Sequence, residues 1–498
     1  MQRKRQNKTM TIHYSVLFCC TLFGFLLTAA DGFVPASGNI HHVHSMQLFA
    51  TKTKQLEEMK VAVVGGGPSG LLLAHKLLAS GATVNIFEGR TDPRSLTDLE
   101  GRAYALGLGM RGRTAIRSVD DALWEAVKAR GYESERFTLY LRGFPIKLRD
   151  SAPDGGLEPS LLTYQSDLCS ALLDELVKRD VDGKLSVEFK QKIESCDLKE
   201  QLLKMGNNII RGPFDLIIGC DGVNSVVRSS IAATSTAFQC EKNVLRGEFK
   251  ACRLEAPPEK LDPTSVALII PNAGSTTCFV EPTATGSCLL FAGRGGRDDP
   301  ILNPPANLTV TVEALKQSFP LLEGSDVDEI ARQLAIQPPS SASSVQCNVY
   351  HYGHVAALCG DAAHATGGVS GQGVNSALVD AVVLAESLYE NFDPTNRHSS
   401  LQRALLQYSQ RQVPEGKALY DLSFGPKPTG VRKLQFLVQT VLDTLFQGRL
   451  GIGRPPLQTM LTTSTKPFSE VRRERDAFYN EPFLDQGTFD AVLAKLYD

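Results

Sequence analysis

Three glycines at residues 65–70 form a pattern that could bind a pyrophosphate. Gly65, Gly67 and Gly70 are spaced as G-x-G-x-x-G, and they directly follow the short apolar run at residues 61–64. In this pattern the first glycine permits a tight turn, the second lets a pyrophosphate approach the backbone, and the third lets a helix pack closely on a strand. The chemistry that these residues predict is the binding of a dinucleotide.

The sequence around the glycines supplies the elements that such a site needs. Pro68 and Ser69 stand where a helix can begin, and the free N–H groups of a helix N-terminus attract phosphates. After that helix, residues 82–87 form a second strand-like run that ends at Glu88. A carboxylate there can accept hydrogen bonds from an adenosine ribose, and a solvated charge at a strand end is the alternative. Together the strands, the helix and the acid favour a dinucleotide site over an ordinary turn.

Two later segments combine an apolar strand, a carboxylate and glycines. Residues 216–218 are apolar and lead to Asp221. Asp361 precedes the glycine-rich residues 371–373, after which we expect a helix from Ser376. A carboxylate at such a strand end could accept a hydrogen bond from a ribityl hydroxyl, and the glycine backbone could approach a flat ring. These segments favour FAD over NAD as the dinucleotide.

In this order and at these separations, the three segments resemble those of the class A FAD-dependent aromatic monooxygenases. Within that group the sequence is most similar to the kynurenine 3-monooxygenases, because residues 101–113, residues 345–352 and the Gly-Asp-Ala-Ala-His run at 360–364 look like theirs. The resemblance covers residues 60–423. It implies an α/β fold in which a Rossmann-like FAD-binding domain is interleaved with an antiparallel β-sheet substrate domain and followed by a C-terminal helical region.

The resemblance also implies which residues bind FAD. Gln165 occupies a position where the kynurenine 3-monooxygenases usually carry arginine, and a glutamine can still hydrogen-bond to a phosphate, more weakly than a charged fork. The expected FAD-binding residues are Gly65, Gly67, Pro68, Ser69, Gly70, Glu88, Arg102, Gln165, Asp221, Asp361, Gly371, Gly373, Val374 and Asn375.

For the substrate, the resemblance implies two binding residues and no catalytic side chain. Arg136 corresponds to the family's arginine for the substrate carboxylate, and a surface arginine at a strand start is the alternative. Asn375 also matches, although it could simply cap the following helix. NADPH or NADH would reduce FAD, and O2 would supply the oxygen atom that is transferred to an aromatic ring. We expect His364 to be a structural hydrogen-bonding residue rather than a base.

The expected substrate pocket differs from that of the kynurenine 3-monooxygenases. The family's two substrate tyrosines do not carry over, since residues 148–150 read Leu-Arg-Asp and residues 424–426 read Phe-Gly-Pro. The loop at 368–370 reads Gly-Val-Ser in place of a proline and two bulky residues. These changes remove aromatic packing from the expected pocket, so the sequence does not identify the substrate. The alternatives to a ring hydroxylase are an epoxidase or reductase acting on an isoprenoid or pigment in a plastid, and a flavoprotein without turnover.

Composition and charge narrow the class of protein. The 498 residues include 52 Lys and Arg against 54 Asp and Glu, so the net charge is −2 and no strong field attracts nucleic acid. Hydrophobic content of 42% is that of a globular protein with a substantial core. The 11 cysteines show no C-x-x-C pair, so we expect reduced cysteines without a zinc site or a disulfide framework. The oligomeric state and any peripheral contact with a membrane are not readable from the sequence.

The N-terminus reads as a targeting sequence. A basic start and the apolar residues 14–30 precede a small-x-small cleavage site before Phe33, which is the form of a signal peptide. Residues 33–56 contain no acid, which is typical of a transit peptide. The combination resembles the bipartite presequence of algae with secondary plastids and predicts a plastid location. An uncleaved membrane anchor, the secretory lumen and a mitochondrion are the alternatives.

After this presequence we expect interleaved domains. Residues 137–148 read as strand-turn-strand, and residues 247–294 read as short strands of an antiparallel sheet. Residues 295–305 and 338–344 read as loops, and residues 434–446 as a packed helix. The expected divisions are 1–32 signal peptide, 33–57 transit peptide, 58–235 first part of the FAD-binding domain with substrate-side strands at 134–150, 236–344 β-sheet substrate domain, 345–395 second part of the FAD-binding domain and 396–498 helical region.

Overall fold

A computed structural model describes most of the chain between Gln55 and Ala494. The described residues are 55–95, 104–149, 159–296, 298–426 and 457–494, together with 428, 433, 435–436 and 438–439. The expected signal peptide, almost all of the expected transit peptide, Arg102 and most of the helix expected at 434–446 lie outside the described residues.

The described residues form strands that pair into five sheets. In chain order the strands are β1 (Lys60–Val64), β2 (Thr83–Glu88), β3 (Ala105–Leu108), β4 (Tyr132–Ser134), β5 (Arg136–Leu141), β6 (Phe144–Arg149), β7 (Ser160–Tyr164), β8 (Leu185–Phe189), β9 (Ile193–Asp197), β10 (Leu202–Met205), β11 (Ile210–Arg211), β12 (Leu216–Gly219), β13 (Cys240–Val244), β14 (Glu248–Leu254), β15 (Ser265–Ile270), β16 (Thr277–Thr283), β17 (Gly286–Gly293), β18 (Ser343–Cys347), β19 (His351–Tyr352), β20 (Ala356–Leu358) and β21 (His364–Thr366).

The described residues also form α-helices on both sides of these sheets. In chain order they are α1 (Pro68–Ala79), α2 (Met110–Arg117), α3 (Asp121–Lys128), α4 (Gln165–Arg179), α5 (Val226–Thr234), α6 (Leu308–Ser318), α7 (Val327–Ile336), α8 (Gly373–Asn391), α9 (Arg397–Phe424), α10 (Leu457–Thr463), α11 (Phe468–Arg473) and α12 (Gln486–Ala494).

A six-stranded sheet of Rossmann type carries the first glycine loop. Its strands are ordered β19-β20-β12-β1-β2-β8, and all neighbouring pairs are parallel except the antiparallel pair β19–β20. The central strands β1 and β12 are buried on both faces, as their unbroken apolar runs predict for parallel strands covered by helices. The expected α/β architecture is confirmed. Because β1, β12 and β20 run in the same direction, the residues that follow them meet at one edge of the sheet.

A second six-stranded sheet, ordered β14-β17-β16-β15-β5-β6, forms from the expected substrate-side segments. Its hairpin β5–β6 turns at Arg142 and Gly143, which both have positive φ, as two-residue hairpin turns require. The strands within residues 248–293 pair antiparallel, as expected, and β15 additionally pairs parallel with β5 of the earlier hairpin. More than a hundred residues separate the two strands, and so long a connection permits either direction.

Two helices that the sequence interpretation missed cover one face of the second sheet. α6 and α7 lie within the region read as strands and loops, and they bury Leu315 and Leu334 against sheet residues such as Phe291. Each helix begins at a side-chain cap: Asn307 accepts from the Thr309 N–H, and Asp326 accepts from the Glu329 N–H. These N-cap residues, followed by apolar residues at helical spacing, were the available signal.

The C-terminal helices are anchored on the long helix α9, in agreement with the expected helical region. α9 contains Pro414, which has no N–H to donate to the carbonyl of Gln410 one turn earlier. The side-chain amide of Gln486, at the start of α12, donates to that carbonyl at 2.8 Å. Within the described ranges, none of the helices combines the length and the apolar character that crossing a membrane requires.

Candidate functional site

The first glycine loop lies at the carboxyl edge of the parallel sheet. Gly65 has a φ of +106°, and a Cβ there would lie 2.4 Å from the carbonyl oxygen of Cys220. A Cβ at Gly70 would lie 2.1 Å from the carbonyl oxygen of Gly65, so the helix and the strand pack as closely as the pattern predicts. By contrast, a Cβ at Gly67 would meet no atom within 4 Å. Gly67 therefore borders open space at the N-terminus of α1, where Pro68 is the first helical residue.

Glu88 ends β2 beside this loop. Its Oε2 accepts a hydrogen bond from the Gly66 N–H at 2.8 Å, and its Oε1 accepts from Arg90 Nε at 2.9 Å. Burial by itself would raise the pKa of Glu88, but the hydrogen bonds and charge of Arg90 outweigh burial and hold the pKa below its usual value. With only 6% of its surface exposed, Glu88 is an ionised acceptor fixed beside the glycines rather than a solvated charge.

The second segment is joined to the third by a buried arginine. Asp221 Oδ2 accepts from the Val226 N–H at 2.6 Å, so its carboxylate fixes the start of α5, and burial raises its pKa above the usual value. Arg228, in the first turn of α5, donates to the carbonyl of Ala362 at 2.9 Å and to that of Val223 at 2.7 Å. No local signal in the sequence points to this link, because the partner of Arg228 lies 134 residues away.

The third segment lies against the start of α1. A Cβ at Gly360 would be 3.3 Å from Ser69 Oγ, and Asp361 next to it is exposed at the same sheet edge. Behind this edge, His364 Nε2 and Asp380 Oδ2 are 2.6 Å apart in the protein interior. Burial would lower the pKa of His364, but the charge and hydrogen bond of Asp380 raise it above the usual value. This buried pair supports the structural role expected for His364.

The glycine-rich loop of the third segment leads into α8 three residues earlier than expected. α8 begins at Gly373 rather than at Ser376, so Val374 is in the first helical turn. A Cβ at Gly371 or Gly373 would meet no atom within 4 Å, and Gly371 has a φ of +66°. This helix start therefore also borders open space, as a site for a planar ligand requires.

Asn375 links α8 to the segment around β3. Its Oδ1 accepts from the Gly109 N–H at 2.9 Å, and its Nδ2 donates to the Gly107 carbonyl at 2.9 Å. A Cβ at Gly112 would lie 2.5 Å from Asn375 Oδ1, so glycine is needed for this approach. Because these backbone groups take up its polar atoms, Asn375 orients the start of α8 instead of merely capping it. Its contacts with a cofactor or substrate stay a prediction.

Gln165 lies between the glycine segments and the second sheet. It is the first residue of α4, and its Oε1 accepts a hydrogen bond from the Tyr104 hydroxyl at 3.1 Å. The Tyr104 ring meets Phe249 of β14 edge to face, with the ring centroids 6.4 Å apart. Tyr104 lies within residues 101–113, and its bridging position depends on tertiary packing that the sequence does not show.

Arg136 is paired with an acid at the start of the neighbouring strand. Its Nη1 donates to Thr264 Oγ1 at 2.8 Å and lies 3.5 Å from Asp262 Oδ2. About two-fifths of each charged side chain is exposed, at 41% for Arg136 and 39% for Asp262. None of these contacts joins Arg136 to the glycine segments. Its role toward a substrate carboxylate stays a prediction, and such a carboxylate would compete with Asp262.

The residues at the sheet edge fit FAD, which is not part of the structure. Three glycines leave room where any other residue would place a methyl group: Gly67, Gly371 and Gly373. Within the described residues, Gln372 Oε1 in the same loop is buried without a hydrogen-bond partner. Open space bordered by helix N-termini, an ionised carboxylate and an unpaired amide oxygen suits a long ligand with phosphates and many hydroxyl groups.

Comparisons with known proteins agree with this geometry. A kynurenine 3-monooxygenase of Salinispora arenicola is 28% identical over 438 residues, covering 83% of this chain and 89% of that protein. One from Drosophila willistoni is 25% identical over 455 residues, covering 86% of this chain and 93% of that protein. The structure of 2-methyl-3-hydroxypyridine-5-carboxylic acid oxygenase matches with a TM-score of 0.61 and 21% identity over 82% of this chain and 96% of that chain, which shows the shared fold.

The family model described as FAD binding domain matches residues 58–423, which is most of the chain. The segment begins just before β1 and ends within α9, so it spans all three glycine-bearing segments and the second sheet. The protein therefore belongs to the FAD-binding domain family, and its resemblance to the class A FAD-dependent monooxygenases, the kynurenine 3-monooxygenases among them, is confirmed.

Proposed function

We propose that the protein is a monooxygenase that uses FAD, NAD(P)H and O2 to hydroxylate an aromatic substrate. The observation that carries the proposal is the meeting of three distant segments at one sheet edge. There a Cβ at Gly65 would collide with Cys220, a Cβ at Gly360 would lie 3.3 Å from Ser69 Oγ, and Arg228 bonds to the third segment.

The relatives support the substrate class. Several are named kynurenine 3-monooxygenase, and the alignments cover about nine-tenths of their length, so the substrate-side sheet is included as well as the FAD-binding segments. Kynurenine is an aromatic amino acid. We therefore propose aromatic acids or amino acids as the substrate class. No single member is selected, because the sequence differs from the kynurenine 3-monooxygenases at residues 148–150, 368–370 and 424–426.

In this proposal FAD supplies the redox chemistry, because it can accept a hydride from a nicotinamide and activate O2 for transfer of one oxygen atom. The chain binds and orients the cofactor. The N–H groups at the start of α1 would bind the pyrophosphate, and the Glu88 carboxylate would accept hydrogen bonds from the ribose. Asn375 and Arg228 hold the loops around the ring in place through their bonds to distant backbone groups.

The second sheet would exclude water from the reacting ring. Its face opposite α6 and α7 carries a row of apolar residues in register across five strands: Leu139, Leu268, Phe279, Leu290 and Ala251. A dry wall of this kind keeps a reactive oxygen donor away from solvent and presses a flat substrate toward the cofactor.

The test is a spectrum followed by a turnover screen. A protein that begins at Lys54 is purified, its flavin absorbance is recorded, and NADPH and NADH consumption is measured with a panel of aromatic acids that includes kynurenine. We expect a yellow protein whose reductant consumption rises with at least one ligand, with a hydroxylated product. A protein that stays colourless with added FAD contradicts the proposal. Reductant consumption that no aromatic ligand changes contradicts the proposed substrate class. An epoxide product would favour the epoxidase alternative instead.

Arg136 gives a sharper test of the carboxylate role. In Arg136→Glu the guanidinium is lost and a like charge faces Asp262, so stimulation by carboxylated ligands should fall at least about tenfold if Arg136 binds them. Arg142, in the exposed hairpin turn of the same strand pair, provides the matched control Arg142→Glu. Equal stimulation of both variants by every carboxylated ligand would exclude the role of Arg136.

We also propose that the protein acts in a plastid. The support is the sequence of residues 1–57, in which a signal-like apolar segment precedes an acid-poor stretch. A fluorescent protein fused behind residues 1–57 should accumulate inside plastids of an alga with secondary plastids, whereas the fusion with residues 1–32 alone should stop in the secretory pathway. Accumulation of the longer fusion at a membrane or in mitochondria would refute this location.

A further inference from the structure

A carboxylate interrupts the apolar face of the second sheet. Glu281 lies in β16 two residues after Phe279, so both side chains leave the strand on the same face. Cys278 and Val280 leave on the other face and are buried under α6 and α7. Glu281 therefore belongs to the wall that we assign to the reacting ring.

The neighbours of Glu281 place it close to the FAD-binding side. In the sheet register Glu281 is directly opposite Cys288 of β17. Cys288 packs in a small cluster with Tyr164 of β7 and with Ala105 of β3. Tyr164 directly precedes Gln165, an expected FAD-binding residue. Glu281 is thus one strand away from the point where the sheet meets the cofactor-binding part of the fold.

Among the residues that the structure describes, none neutralises this carboxylate. Throughout the described ranges Glu281 makes no hydrogen bond and no ion pair, although the residue is half-buried. Burial raises the pKa of Glu281 to about 7. A half-buried carboxylate without a donor in the fold is stabilised by protonation or by a bound cation. The accessible carboxylate of Glu281 can therefore accept hydrogen bonds from a ligand.

Three titratable or charged groups close to Glu281 are engaged or neutral. On β17, burial raises the pKa of the Cys288 thiol well above its usual value, so the thiol is uncharged. On β14, the Arg253 guanidinium lies 3.9 Å from the Tyr164 ring centroid and donates to Ser166 Oγ at 3.2 Å. On β7, burial raises the pKa of the Tyr164 hydroxyl. The carboxylate of Glu281 therefore remains available as an acceptor on this surface.

We propose that Glu281 is a substrate-binding residue that receives a positively charged nitrogen of an aromatic substrate. This inference rests on the function proposed above, because it takes the sheet face as the substrate wall. It narrows the substrate class to aromatic compounds that carry an ammonium group, such as aromatic amines and amino acids. A carboxylate accepts hydrogen bonds only, so an ammonium group satisfies it in a way that a neutral ring does not.

The experiment measures binding of matched ligand pairs to the FAD-loaded protein through the change in flavin absorbance. One pair is L-kynurenine and its analogue without the α-ammonium group, and the other is tyramine and 4-ethylphenol. Each pair is titrated at pH 6 and pH 8 against the parent protein, Glu281→Gln and the control Glu313→Gln. Glu313 is exposed on α6, behind the sheet, so its variant makes the same charge change away from the wall.

At pH 8 the ammonium member of at least one pair should bind the parent protein at least about tenfold more tightly than its neutral partner. At pH 6 this preference should fall by about tenfold, because a carboxyl with a pKa of about 7 is then mostly protonated. Glu281→Gln should lose both the preference and its pH dependence while it keeps its flavin, and Glu313→Gln should keep both.

A preference that persists in Glu281→Gln would overturn the inference, and so would the absence of any preference in the parent protein. Neither result touches the proposed function if neutral aromatic acids still stimulate NAD(P)H consumption. A protein that binds no FAD, or whose reductant consumption responds to no aromatic ligand, overturns both together.

Discussion

Replacing Gly70 with alanine tests whether the glycine loop is built for close packing. The new Cβ would lie 2.1 Å from the carbonyl oxygen of Gly65 and 3.2 Å from side-chain atoms of Val63 and Cys220. The nearest obstacle is backbone, which cannot swing aside like the end of a flexible side chain, so α1 must move away from β1. Overpacking a core costs about 1–3 kcal/mol, and a backbone obstacle puts Gly70→Ala at the upper end, near about 3 kcal/mol.

Gly67→Ala is the matched control, because it adds the same methyl group three residues earlier. Its Cβ meets no atom within 4 Å, and the φ of Gly67 is −79°, which alanine adopts freely. The stability of the FAD-free protein should therefore change by less than about 1 kcal/mol. The methyl group would instead stand where the pyrophosphate approaches the backbone, and FAD should bind at least about tenfold more weakly.

The two effects are separated by measuring thermal unfolding of the FAD-free proteins and FAD binding by fluorescence quenching. At about 2.1 cal/mol/K of unfolding entropy per residue, about 3 kcal/mol corresponds in a protein of this size to a fall in Tm of roughly 3–4 °C, expected for Gly70→Ala only. If Gly67→Ala bound FAD as tightly as the parent protein, the open space beside Gly67 would not be the pyrophosphate site. If Gly70→Ala unfolded at the parent temperature, the packing account of the loop would be wrong.

Three further predictions follow from the hydrogen-bond partners of individual side chains. Arg228→Met leaves two backbone carbonyls without their charged donor and should lower stability by about 3 kcal/mol and the flavin content with it, whereas Arg228→Lys should lower both less, as thermal unfolding and absorbance will show. Because the folded pKa of His364 is raised by Asp380, the stabilisation by this pair is fully present below the unfolded pKa and is lost as pH rises through the folded value. Urea unfolding should therefore show the deficit of Asp380→Asn to be larger at pH 6 than at pH 9, and an equal deficit would refute the pairing. The hydrogen bond with Cys347 lowers the pKa of exposed Cys240 to about 7. Its alkylation by iodoacetamide should be half-maximal near pH 7 and move to higher pH in Cys347→Ala; an unchanged profile would contradict this.

The parts of the site that repeat a local pattern could be predicted from the sequence. The strand, glycine loop, helix and second strand at residues 60–88 follow from an apolar run, a glycine spacing and a terminal acid, and each lies where these signals place it. The position of Glu88 at the end of β2 beside the glycines could be predicted, but its ionised state depends on Arg90 and on the backbone of Gly66. Local spacing therefore predicts where these elements and Glu88 lie, but it predicts the charge state of Glu88 only in part.

The parts that depend on contacts between distant segments could not be predicted. Nothing near Asn375 shows that its side chain meets Gly107 and Gly109, which are more than 260 residues away. The same holds for Glu281, whose alternation within β16 is visible but whose lack of a partner is a property of the assembled sheet. The first turn of α8 was missed because glycine and asparagine disfavour helices unless, as at Asn375, tertiary bonds take up the polar side chain.

Pro414 links the end of the chain to the cofactor side of the molecule. By removing one N–H it leaves the carbonyl of Gln410 free for Gln486, which fastens α12 to α9. α9 in turn packs along α8, whose first turn borders the open space at Gly373. A tag or deletion that displaces α12 would therefore also disturb α9 and the first turn of α8. An affinity tag is safer placed ahead of β1.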